Sequence, residues 1–471
     1  MAGKVYPLEP RDVPRVHTPH RRIVTPIPVP ESVPILRALQ AHEPRSMGGQ
    51  PPVVWDRAEG VQVYDRWGNM WLDWSSGVLV TNAGHGREAI VEAVAEQARR
   101  PLLHSYCFAN EPRARLVERL RGLAEDGLRR AAGRQQAPRK VFLLTTGSEA
   151  TENAVKLART WGQKVGGKGK VGIVSFEHAF HGRTLGAQQI GGTPALKEWI
   201  VHLDPDFHQV PFPDGFRTPD TRFELFLRTL EARGVGPERI AGVITETYQG
   251  AGADFMPVAY ARALSEWCAE HDVLLMMDEV QAGFGRTGTF WGFEHYGVAP
   301  DILCCGKGIS SGLPLSAVIG REDVMGLYGP GEMTSTHSAN PVCCAAALAA
   351  IEVIEEEGLV ENSRAVGEVL HAELAERLAP FGDHIGAMFG KGLVAAVQLV
   401  REPGSTEPDA DLAHDVVGRC VEKGLLMFAP VGVGGASVKI APPLCITAEA
   451  VREGVGVLAE ALAECLEERD S

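Results

Sequence analysis

Two apolar segments of the chain each end close to one charged residue, and these residues are the first candidates for chemistry. Residues 273–277 are followed by Asp278, and residues 302–305 are followed, after one glycine, by Lys307. Short apolar runs of this kind are typical of buried parallel strands, which carry functional side chains at their C-terminal ends. We therefore expect a carboxylate and an amine to lie close together at one edge of a sheet.

A carboxylate and a lysine amine in this arrangement meet the chemical needs of pyridoxal phosphate. The carboxylate would keep the ring nitrogen of the cofactor protonated, and the amine would form a Schiff base with it. The same two residues are also compatible with an ordinary Asp–Lys ion pair, or with charged residues in surface loops. Taken alone, the two residues leave these interpretations open.

The composition is that of a globular chain able to fill at least two cores. It has 471 residues, 45% of them hydrophobic, and a formal net charge of -14. This charge disfavours partners such as nucleic acid or an anionic membrane, and no apolar run approaches the roughly 20 residues of a membrane span. The nine cysteines show no CxxC spacing, which indicates reduced core residues in a cytoplasmic protein.

A strand-to-helix turn provides a candidate phosphate site. Residues 141–144 form a predicted strand, and the turn TTGS at 145–148 leads into a predicted helix. Backbone N–H groups at a helix N-terminus bind phosphate oxygens, and Gly147 would allow a close approach. Ser148 would either add a donor or cap the helix, and the sequence leaves both roles open.

A further strand, predicted at 171–175, is followed by residues that suit a flat, charged ligand. The Phe180 ring could stack on such a ligand, and Arg183 could hold a carboxylate through two hydrogen bonds. A core phenylalanine and a surface arginine are the alternatives. His181 lies between these two residues.

The strand IAGVITET repeats the pattern, because it is apolar and carries a carboxylate near its end. Together with the strands that precede Thr146, Asp278 and Lys307, it gives four predicted strands that are followed by polar residues and separated by helical segments. This arrangement predicts an open α/β sheet with a site along one edge. The residues at the strand ends are Thr146, Glu246, Asp278 and Lys307.

The motifs at these strand ends resemble those of one enzyme family. The segments are TTGSEATENAVKLAR, FHGRT, LLMMDEVQAGFGRTG, CCGKGISSGLPLSAVIG and TSTHSANPVCCAAALA. They resemble, in this order, motifs of the class III aminotransferases of pyridoxal-phosphate fold type I, which include 4-aminobutyrate, ornithine and acetylornithine aminotransferases. Several specific motifs in family order are much harder to obtain by chance than one.

The resemblance implies roles for individual residues and pyridoxal 5'-phosphate as the cofactor. Lys307 would be the Schiff-base lysine and Asp278 the partner of the pyridine nitrogen, and these two would be the catalytic residues. The implied cofactor-binding residues are Gly147, Ser148, Phe180, His181, Glu246, Asp278, Val280, Gln281, Lys307 and Thr336.

Within this set, the resemblance places Gly147 and Ser148 on the phosphate. Phe180 and Val280 would pack on the two faces of the ring, and Gln281 would lie near the ring hydroxyl. The position of Thr336 matches a threonine that reaches the phosphate of the neighbouring subunit. This match implies a homodimer, and it leaves a dimer of dimers open.

Two positions depart from the family pattern. Where 4-aminobutyrate and ornithine aminotransferases have a glutamate after the Glu246 strand, this chain has Ala251, and Lys439 replaces an arginine. In those relatives the two residues form an ion pair that controls access of the α-carboxylate of glutamate or 2-oxoglutarate. Because both are changed, we expect that gate to be absent. Val78 and Arg183 are the other candidates for substrate binding.

The predicted fold class is α/β, with a large domain built on a mostly parallel sheet flanked by helices. The resemblance implies that both termini form a second, small α/β domain. The predicted boundaries are an extended N-terminal arm at 1–30, the N-terminal part of the small domain at 31–85, the large cofactor domain at 86–345 and the C-terminal part of the small domain at 346–471.

Three functions are compatible with these features. The leading one is an aminotransferase that moves an amino group from an amine, amino acid or omega-amino acid to a 2-oxo acid. The second is an amino-acid racemase or epimerase with the same cofactor, for which Tyr106, Tyr248 or His181 would supply the second acid–base group. The third is a cofactor-binding regulator, which the lack of a helix-turn-helix module disfavours.

Overall fold

The structure is a computed structural model and describes residues 4–133 and 136–470. In chain order the strands are β1 Val16–His17, β2 Arg22–Ile23, β3 Arg57–Glu59, β4 Gln62–Tyr64, β5 Met70–Asp73, β6 Arg139–Leu144, β7 Gly172–Phe176, β8 Phe207–Val210, β9 Ile240–Glu246, β10 Tyr248–Gln249, β11 Asp254–Phe255, β12 Leu274–Asp278, β13 Ile302–Cys305, β14 Ser316–Arg321, β15 Ile385–Lys391, β16 Val394–Leu399, β17 Leu425–Leu426 and β18 Ser437–Ile440. The α-helices are α1 Val33–His42, α2 Ser76–Leu79, α3 Glu88–Arg99, α4 Glu111–Ala132, α5 Gly147–Gly166, α6 Leu185–Ile190, α7 Glu224–Ala232, α8 Val258–Glu270, α9 Glu322–Met325, α10 Pro341–Glu356, α11 Leu359–Leu378, α12 Ala410–Glu422 and α13 Ala448–Asp470.

The described residues divide into two compact units. The sequence predicts a domain boundary after residue 345, but helix α10 continues through this position, and the unit that contains it ends at Val360. The first unit consists of Met1–Arg87, Ala251–Ala253 and Glu361–Ser471, and the second of Glu88–Gly250 and Asp254–Val360.

The second unit is built on a sheet that contains seven strands within the described ranges. Its strand order is β6-β14-β13-β12-β9-β7-β8. The strands from β13 to β8 run parallel to their neighbours, whereas β14 is antiparallel to both β13 and β6. Its central strands are buried along their whole length because helices cover a mostly parallel sheet on both faces. The predicted α/β class is thereby confirmed.

The register of the central strands places polar residues side by side. Asp278 at the end of β12 pairs with Glu246 at the end of β9 and with Cys304 on β13. Lys307 follows two residues after β13, with a φ of 44°, in the left-handed region that few non-glycine residues adopt. The predicted strand ends therefore lie along one edge of this sheet.

Helix α5 begins at the predicted turn, but its cap is Thr146. The Thr146 side chain accepts a hydrogen bond from the Glu149 backbone N–H at 3.3 Å, and the Glu149 carboxylate accepts one from the Thr146 N–H at 2.8 Å. This reciprocal pair is a capping box. Of the two roles that the sequence allows Ser148, helix capping is therefore excluded.

The first unit contains a sheet to which distant parts of the chain contribute. Its order is β1-β2-β5-β4-β3, and β17 pairs with β5 in parallel. The N-terminal segment, for which the sequence predicts an extended arm, packs against this unit, because Ile23, Ile27 and Val29 are buried in its core. A second sheet of the unit has the order β15-β16-β18. Within the described chain, no helix is both long and apolar enough to cross a membrane.

The loop that follows β12 is held by the fully buried carboxylate of Glu279. It accepts hydrogen bonds from the backbone N–H groups of Gly292 and Phe293, at 2.8 Å each, and from the Thr247 hydroxyl. Successive strand residues point to opposite faces, which is why Asp278 and Glu279 have different partners. Burial raises the pKa of Glu279 and these hydrogen bonds lower it. Burial has the larger effect, so the pKa is about 7.

We expect Glu279→Gln to destabilise the fold by about 1–3 kcal/mol, because the amide nitrogen replaces an acceptor oxygen and leaves a buried N–H without a partner. The loss should be larger at pH 6 than at pH 8. The pKa of Glu279 in the fold, about 7, lies above its ordinary value of 4.5, so the wild type loses stability as the pH rises through 7. This loss amounts to about 1 kcal/mol between the two pH values, and glutamine does not titrate.

Thermal unfolding of both proteins at pH 6 and pH 8 measures this difference. Glu198→Gln, at an exposed position, is the matched control and should unfold like the wild type at both pH values. A difference between wild type and Glu279→Gln that grows with pH would contradict the prediction.

Candidate active site

Asp278 carries a buried carboxylate whose oxygens are both hydrogen-bonded. The residue is 5% exposed. His181 Nδ1 donates to Oδ2 at 2.8 Å, and the Val280 backbone N–H donates to Oδ1 at 3.0 Å. A buried charge is costly unless it is paired and hydrogen-bonded, and these two donors meet that requirement.

His181 is buried behind Asp278. Burial lowers its pKa, but the hydrogen bond that His181 donates to Asp278 and the charges of Asp278 and Glu246 raise it by more, so the net pKa lies above its ordinary value. Its Nε2 atom has no hydrogen-bond partner among the described residues. The Thr151 hydroxyl donates to the His181 carbonyl at 2.8 Å and so fixes the backbone that carries the ring.

Lys307 is half-buried near the carboxylates of Asp278 and Glu246 at the sheet edge. Burial lowers the pKa of its amine, and the charges of Asp278 and Glu246 raise it, with a net decrease. A lowered pKa increases the share of neutral amine, which is the form that acts as a nucleophile.

Glu246 is 5% exposed and adjacent in register to Asp278. Burial raises the pKa of Glu246 to about 7, with the His181 charge lowering it and the Asp278 charge raising it. The sheet edge therefore combines carboxylates with a histidine and a lysine whose protonation depends on one another.

The predicted phosphate site lies next to these residues. A Cβ atom added at Gly147 would lie 3.1 Å from Val280 Cγ1, and one added at Gly306 would lie 3.6 Å from the same atom. Glycine at 147 therefore keeps open a space that a side chain would fill. Ser148 Oγ accepts a hydrogen bond from the Arg183 backbone N–H at 3.3 Å.

Phe180 and Arg183 lie in the loop that follows β7, and both are exposed. Phe180 is 36% exposed, and the Arg183 guanidinium carbon lies 5.5 Å from the centre of its ring. Arg183 is itself exposed, so its guanidinium group is accessible to a ligand.

The remaining predicted residues of the second unit lie at its loops. Gln281 follows Val280, is half-buried, and accepts at its carbonyl a hydrogen bond from the Tyr248 hydroxyl at 3.3 Å. Thr336 lies in an exposed turn.

Three candidate substrate residues belong to the first unit. Val78 is 43% exposed with a φ of 66°. Lys439 is 2% exposed on β18. Ala251 lies beside the loop before β18, since a Cβ atom at Gly432 would be 3.9 Å from its Cβ.

The sequence analysis placed Thr146 at a strand end but missed its role as the cap of α5, and it missed Thr151. The capping box of Thr146 follows a threonine-x-x-glutamate pattern that a search for helix starts would have found. The bond from Thr151 to the His181 carbonyl spans 30 positions of sequence, and no local pattern indicates it.

The residues at this edge fit pyridoxal phosphate. Asp278 can accept a hydrogen bond from a protonated ring nitrogen, Lys307 offers an amine of lowered pKa, and the N-terminus of the 20-residue helix α5 suits a phosphate. The space that Gly147 leaves beside Val280 is open to a flat group. Within the described residues, no group of three or more histidine, cysteine or acidic side chains is placed to hold a metal ion.

Comparison with known proteins gives the same assignment. Residues 45–462 match the family model for aminotransferase class-III. A 4-aminobutyrate aminotransferase of Mycobacterium leprae is 33% identical, over 94% of this chain and 98% of that protein. A 5-aminovalerate aminotransferase of Pseudomonas aeruginosa is 34% identical, over 91% of this chain and 98% of that protein.

A solved structure agrees as well. An amine transaminase of an uncultivated Pseudomonas species, in its pyridoxal-phosphate-bound form, superposes with a TM-score of 0.78 at 28% identity, over 88% of this chain and 95% of that chain. The predicted cofactor and fold type are confirmed, and the comparisons give the racemase alternative no support. The chain belongs to the class-III aminotransferases, and it is a pyridoxal-phosphate-dependent transaminase.

Proposed function

We propose that this transaminase takes an amino group from a donor with a distal amine and gives it to a small 2-oxo acid. Lys307 would be the point of covalent attachment for the cofactor. The observation that carries this role is the amine of Lys307, whose pKa is lowered by burial at the sheet edge that also holds Asp278.

The residues that would hold the cofactor come from several loops of the second unit. Gly147 and Ser148 would bind the phosphate at the start of α5, and Phe180 and Val280 would pack on the ring faces. Gln281 would lie near the ring hydroxyl. These roles follow the family pattern, and they are supported by the gathering of Gly147, Val280 and Gly306 at one point.

Bound pyridoxal phosphate supplies an electron sink for the bonding electrons of the substrate carbon. Asp278 would hold a proton on the ring nitrogen, since a carboxylate within ~4–6 Å raises such a pKa by about 1–3 units. His181 orients that carboxylate through its 2.8 Å hydrogen bond. Its raised pKa increases the share of imidazolium, which as a charged donor strengthens the hydrogen bond to Asp278.

Lys307 would act a second time, as an acid–base group. Once the substrate amine has replaced it, its amine is available to take a proton from the substrate carbon and to return it at a neighbouring atom. The lowered pKa of Lys307 favours the neutral amine that accepts the proton. The charges of Asp278 and Glu246 then favour the protonated form, so the proton can be held between the two steps.

The donor is proposed from Arg183 and from the relatives. The names of the two relatives, 4-aminobutyrate and 5-aminovalerate aminotransferase, identify donors with an amine distant from the carboxylate. Arg183 is exposed beside the Phe180 ring and can bind a carboxylate through two parallel hydrogen bonds. A donor with a distal amine would therefore place its carboxylate at Arg183.

The acceptor is proposed from Ala251 and Lys439. Arginine binds a carboxylate bidentately whereas lysine is a point charge, and a charge-assisted hydrogen bond contributes about 1.5–3 kcal/mol. Replacing arginine by Lys439 should weaken capture of a second carboxylate roughly ten- to a hundredfold. Ala251 replaces a charged side chain by a methyl group, which leaves apolar space, so a small acceptor such as pyruvate is favoured over 2-oxoglutarate.

We also propose a homodimer, because an apolar segment is exposed next to Thr336. Leu103 is 57% exposed and Phe108 is 78% exposed. Hydrogen bonds from Tyr106 to Thr334, at 3.2 Å, and from Asn340 to the Leu103 carbonyl, at 2.7 Å, join this segment to the turn that carries Thr336. A second copy of the chain would cover these side chains and bring Thr336 to the neighbouring site.

The cytoplasm remains the proposed compartment. All nine cysteines are free thiols, and Cys268, Cys304, Cys305 and Cys420 are among the buried ones. Reduced cysteines are typical of proteins in a reducing compartment.

The first test concerns Lys307. We expect borohydride to fix the cofactor on Lys307 and on no other lysine of the wild-type protein, and Lys307→Ala to lose this reducible link. Peptide mapping by mass spectrometry locates the label. Asp278→Asn is the control, because it removes the charge next to the ring nitrogen and should still be labelled at Lys307. A label on another lysine would refute the assignment.

The second test compares kcat/KM for pyruvate and 2-oxoglutarate. The wild type should prefer pyruvate, and the double variant Ala251→Glu with Lys439→Arg should shift the preference toward 2-oxoglutarate by roughly ten- to a hundredfold, since it restores the bidentate contact. Lys391→Arg, on β15 of the same sheet as Lys439, is the matched control and should leave the ratio unchanged. The proposal would be contradicted if the wild type prefers 2-oxoglutarate and the double variant has the same ratio of kcat/KM values.

The third test concerns the dimer. Sedimentation velocity should give the wild type a mass about twice the chain mass of 50.7 kDa. Phe108→Glu should shift the mass toward that of one chain, because a charge cannot be buried without a partner in the interface. Val201→Glu is the control, since Val201 is 84% exposed elsewhere on the unit and the variant should stay dimeric. A monomeric wild type would refute the homodimer.

A further inference from the structure

Glu246 is a buried carboxylate that the proposed mechanism uses only through its charge, which favours the protonated form of Lys307. It ends β9, is 5% exposed, and pairs in register with Asp278 on the neighbouring parallel strand. Side chains of register partners in a parallel sheet point to the same face, so Glu246 and Asp278 project from the same side of the sheet. A second buried negative charge beside Asp278 is costly, and its presence requires an explanation.

The contacts of Glu246 supply one. Its Oε2 atom accepts a hydrogen bond from the Phe180 backbone N–H at 2.9 Å, and its Oε1 atom accepts one from the Gly250 backbone N–H at 2.9 Å. The first donor lies 66 positions away in the sequence, in the loop after β7. The second lies in the turn between β10 and β11. One carboxylate therefore ties two separate loops to the end of β9.

The space around Gly250 extends this connection to Gln281. A Cβ atom at Gly250 would lie 2.7 Å from Glu246 Oε1 and would strike the Gln281 side-chain nitrogen. The φ of Gly250 is not in the left-handed region, so close packing rather than backbone conformation requires glycine here. Glu246, Gly250 and Gln281 are consequently packed against one another without room for an additional methyl group.

We propose that Glu246 is a positioning residue that holds the Phe180 loop and the Gly250 turn in place by accepting one backbone hydrogen bond from each. Phe180 is assigned to a face of the cofactor ring, and Gln281, which packs on Gly250, to the ring hydroxyl. Glu246 thus fixes two groups that would set the tilt and the in-plane orientation of the ring. This inference rests on the proposed cofactor site and adds a residue that acts through others rather than by contact with the cofactor.

A purely electrostatic role for Glu246 predicts something different. If only its charge next to Asp278 mattered, Glu246→Gln and Glu246→Ala would behave alike, and neither would change the backbone at Phe180. Under the positioning role, glutamine keeps one acceptor oxygen and loses the other, whereas alanine loses both. The two variants should therefore differ, and they should differ at named amides.

Hydrogen exchange of the cofactor-free protein, read at single-amide resolution, tests this directly. Glu246→Ala should accelerate exchange at both Phe180 and Gly250 by roughly tenfold or more, and Glu246→Gln should accelerate it at one of the two. Glu279→Gln is the matched control, because Glu279 is also buried, also has a pKa of about 7, and also holds two backbone N–H groups. It should accelerate exchange at Gly292 and Phe293 and leave Phe180 unchanged.

A second measurement separates positioning from loss of stability. The visible circular dichroism of the bound cofactor reports the orientation of the ring in its asymmetric surroundings, so Glu246→Gln should change this signal per bound cofactor, and Glu279→Gln should not. Unchanged exchange at both Phe180 and Gly250 in Glu246→Gln would overturn the proposal, and so would equal acceleration at Phe180 in the Glu279→Gln control. If Glu246→Ala does not fold, Glu246→Gln decides the matter alone.

The two proposals fail separately. Borohydride labelling reports the covalent role of Lys307 whether or not Glu246 holds the loops, and exchange in the cofactor-free protein reports the loops whether or not Lys307 is labelled. Slow exchange at Phe180 and Gly250 that becomes fast in Glu246→Ala supports the positioning role even if the label falls on a different lysine.

Discussion

The structure of the second unit depends on how buried carboxylates at one sheet edge are compensated. Parallel strands bring their C-terminal ends together, and here Asp278, Glu246 and Glu279 are all buried at these ends. Each must be given donors or pay several kcal/mol for its lost hydration. The loops beyond the strands supply those donors as side chains or as backbone N–H groups. The conformation of the loops at this edge is therefore set by the hydrogen bonds that they donate to buried carboxylates as much as by packing.

Compensation is incomplete, and this has chemical consequences. Burial raises the pKa of both Glu246 and Glu279 to about 7, even though both accept backbone hydrogen bonds. Burial likewise lowers the pKa of Lys307, so this edge disfavours a charge of either sign that lacks a partner. A ligand that brings a protonated nitrogen next to Asp278 would supply such a partner. The buried carboxylate of Asp278 therefore suits a cationic ring, because burying it without a charged partner costs free energy.

Sequence reasoning predicted the strand ends and their residues because apolar runs with a polar end are a local pattern. It could not predict which donor each carboxylate would receive. The hydrogen bond from the Phe180 N–H to Glu246 spans 66 positions, and the backbone donors of Glu279 come from Gly292 and Phe293, 13 and 14 positions further along the chain. The burial of Ile23 and Ile27 in the N-terminal segment could not be predicted either, because scattered apolar residues show no periodicity from which burial can be inferred. Long-range hydrogen bonds and irregular packing leave no local pattern in the sequence, and for this reason they could not be predicted.

The two units differ in which proposed residues they carry, although Arg183, proposed for the donor carboxylate, belongs to the second unit with the cofactor residues. The residues proposed to hold the cofactor belong to the second unit, whereas Val78, Ala251 and Lys439 belong to the first. A change at Asp278 or Glu246 disturbs a network of buried charges and is therefore costly. A change at Ala251 replaces one side chain in a loop and leaves those buried charges in place. Under this proposal, a substitution at Ala251 or Lys439 changes the substrate and leaves the hydrogen bonds of the sheet edge in place, as expected where function is determined by a few residues of a shared fold.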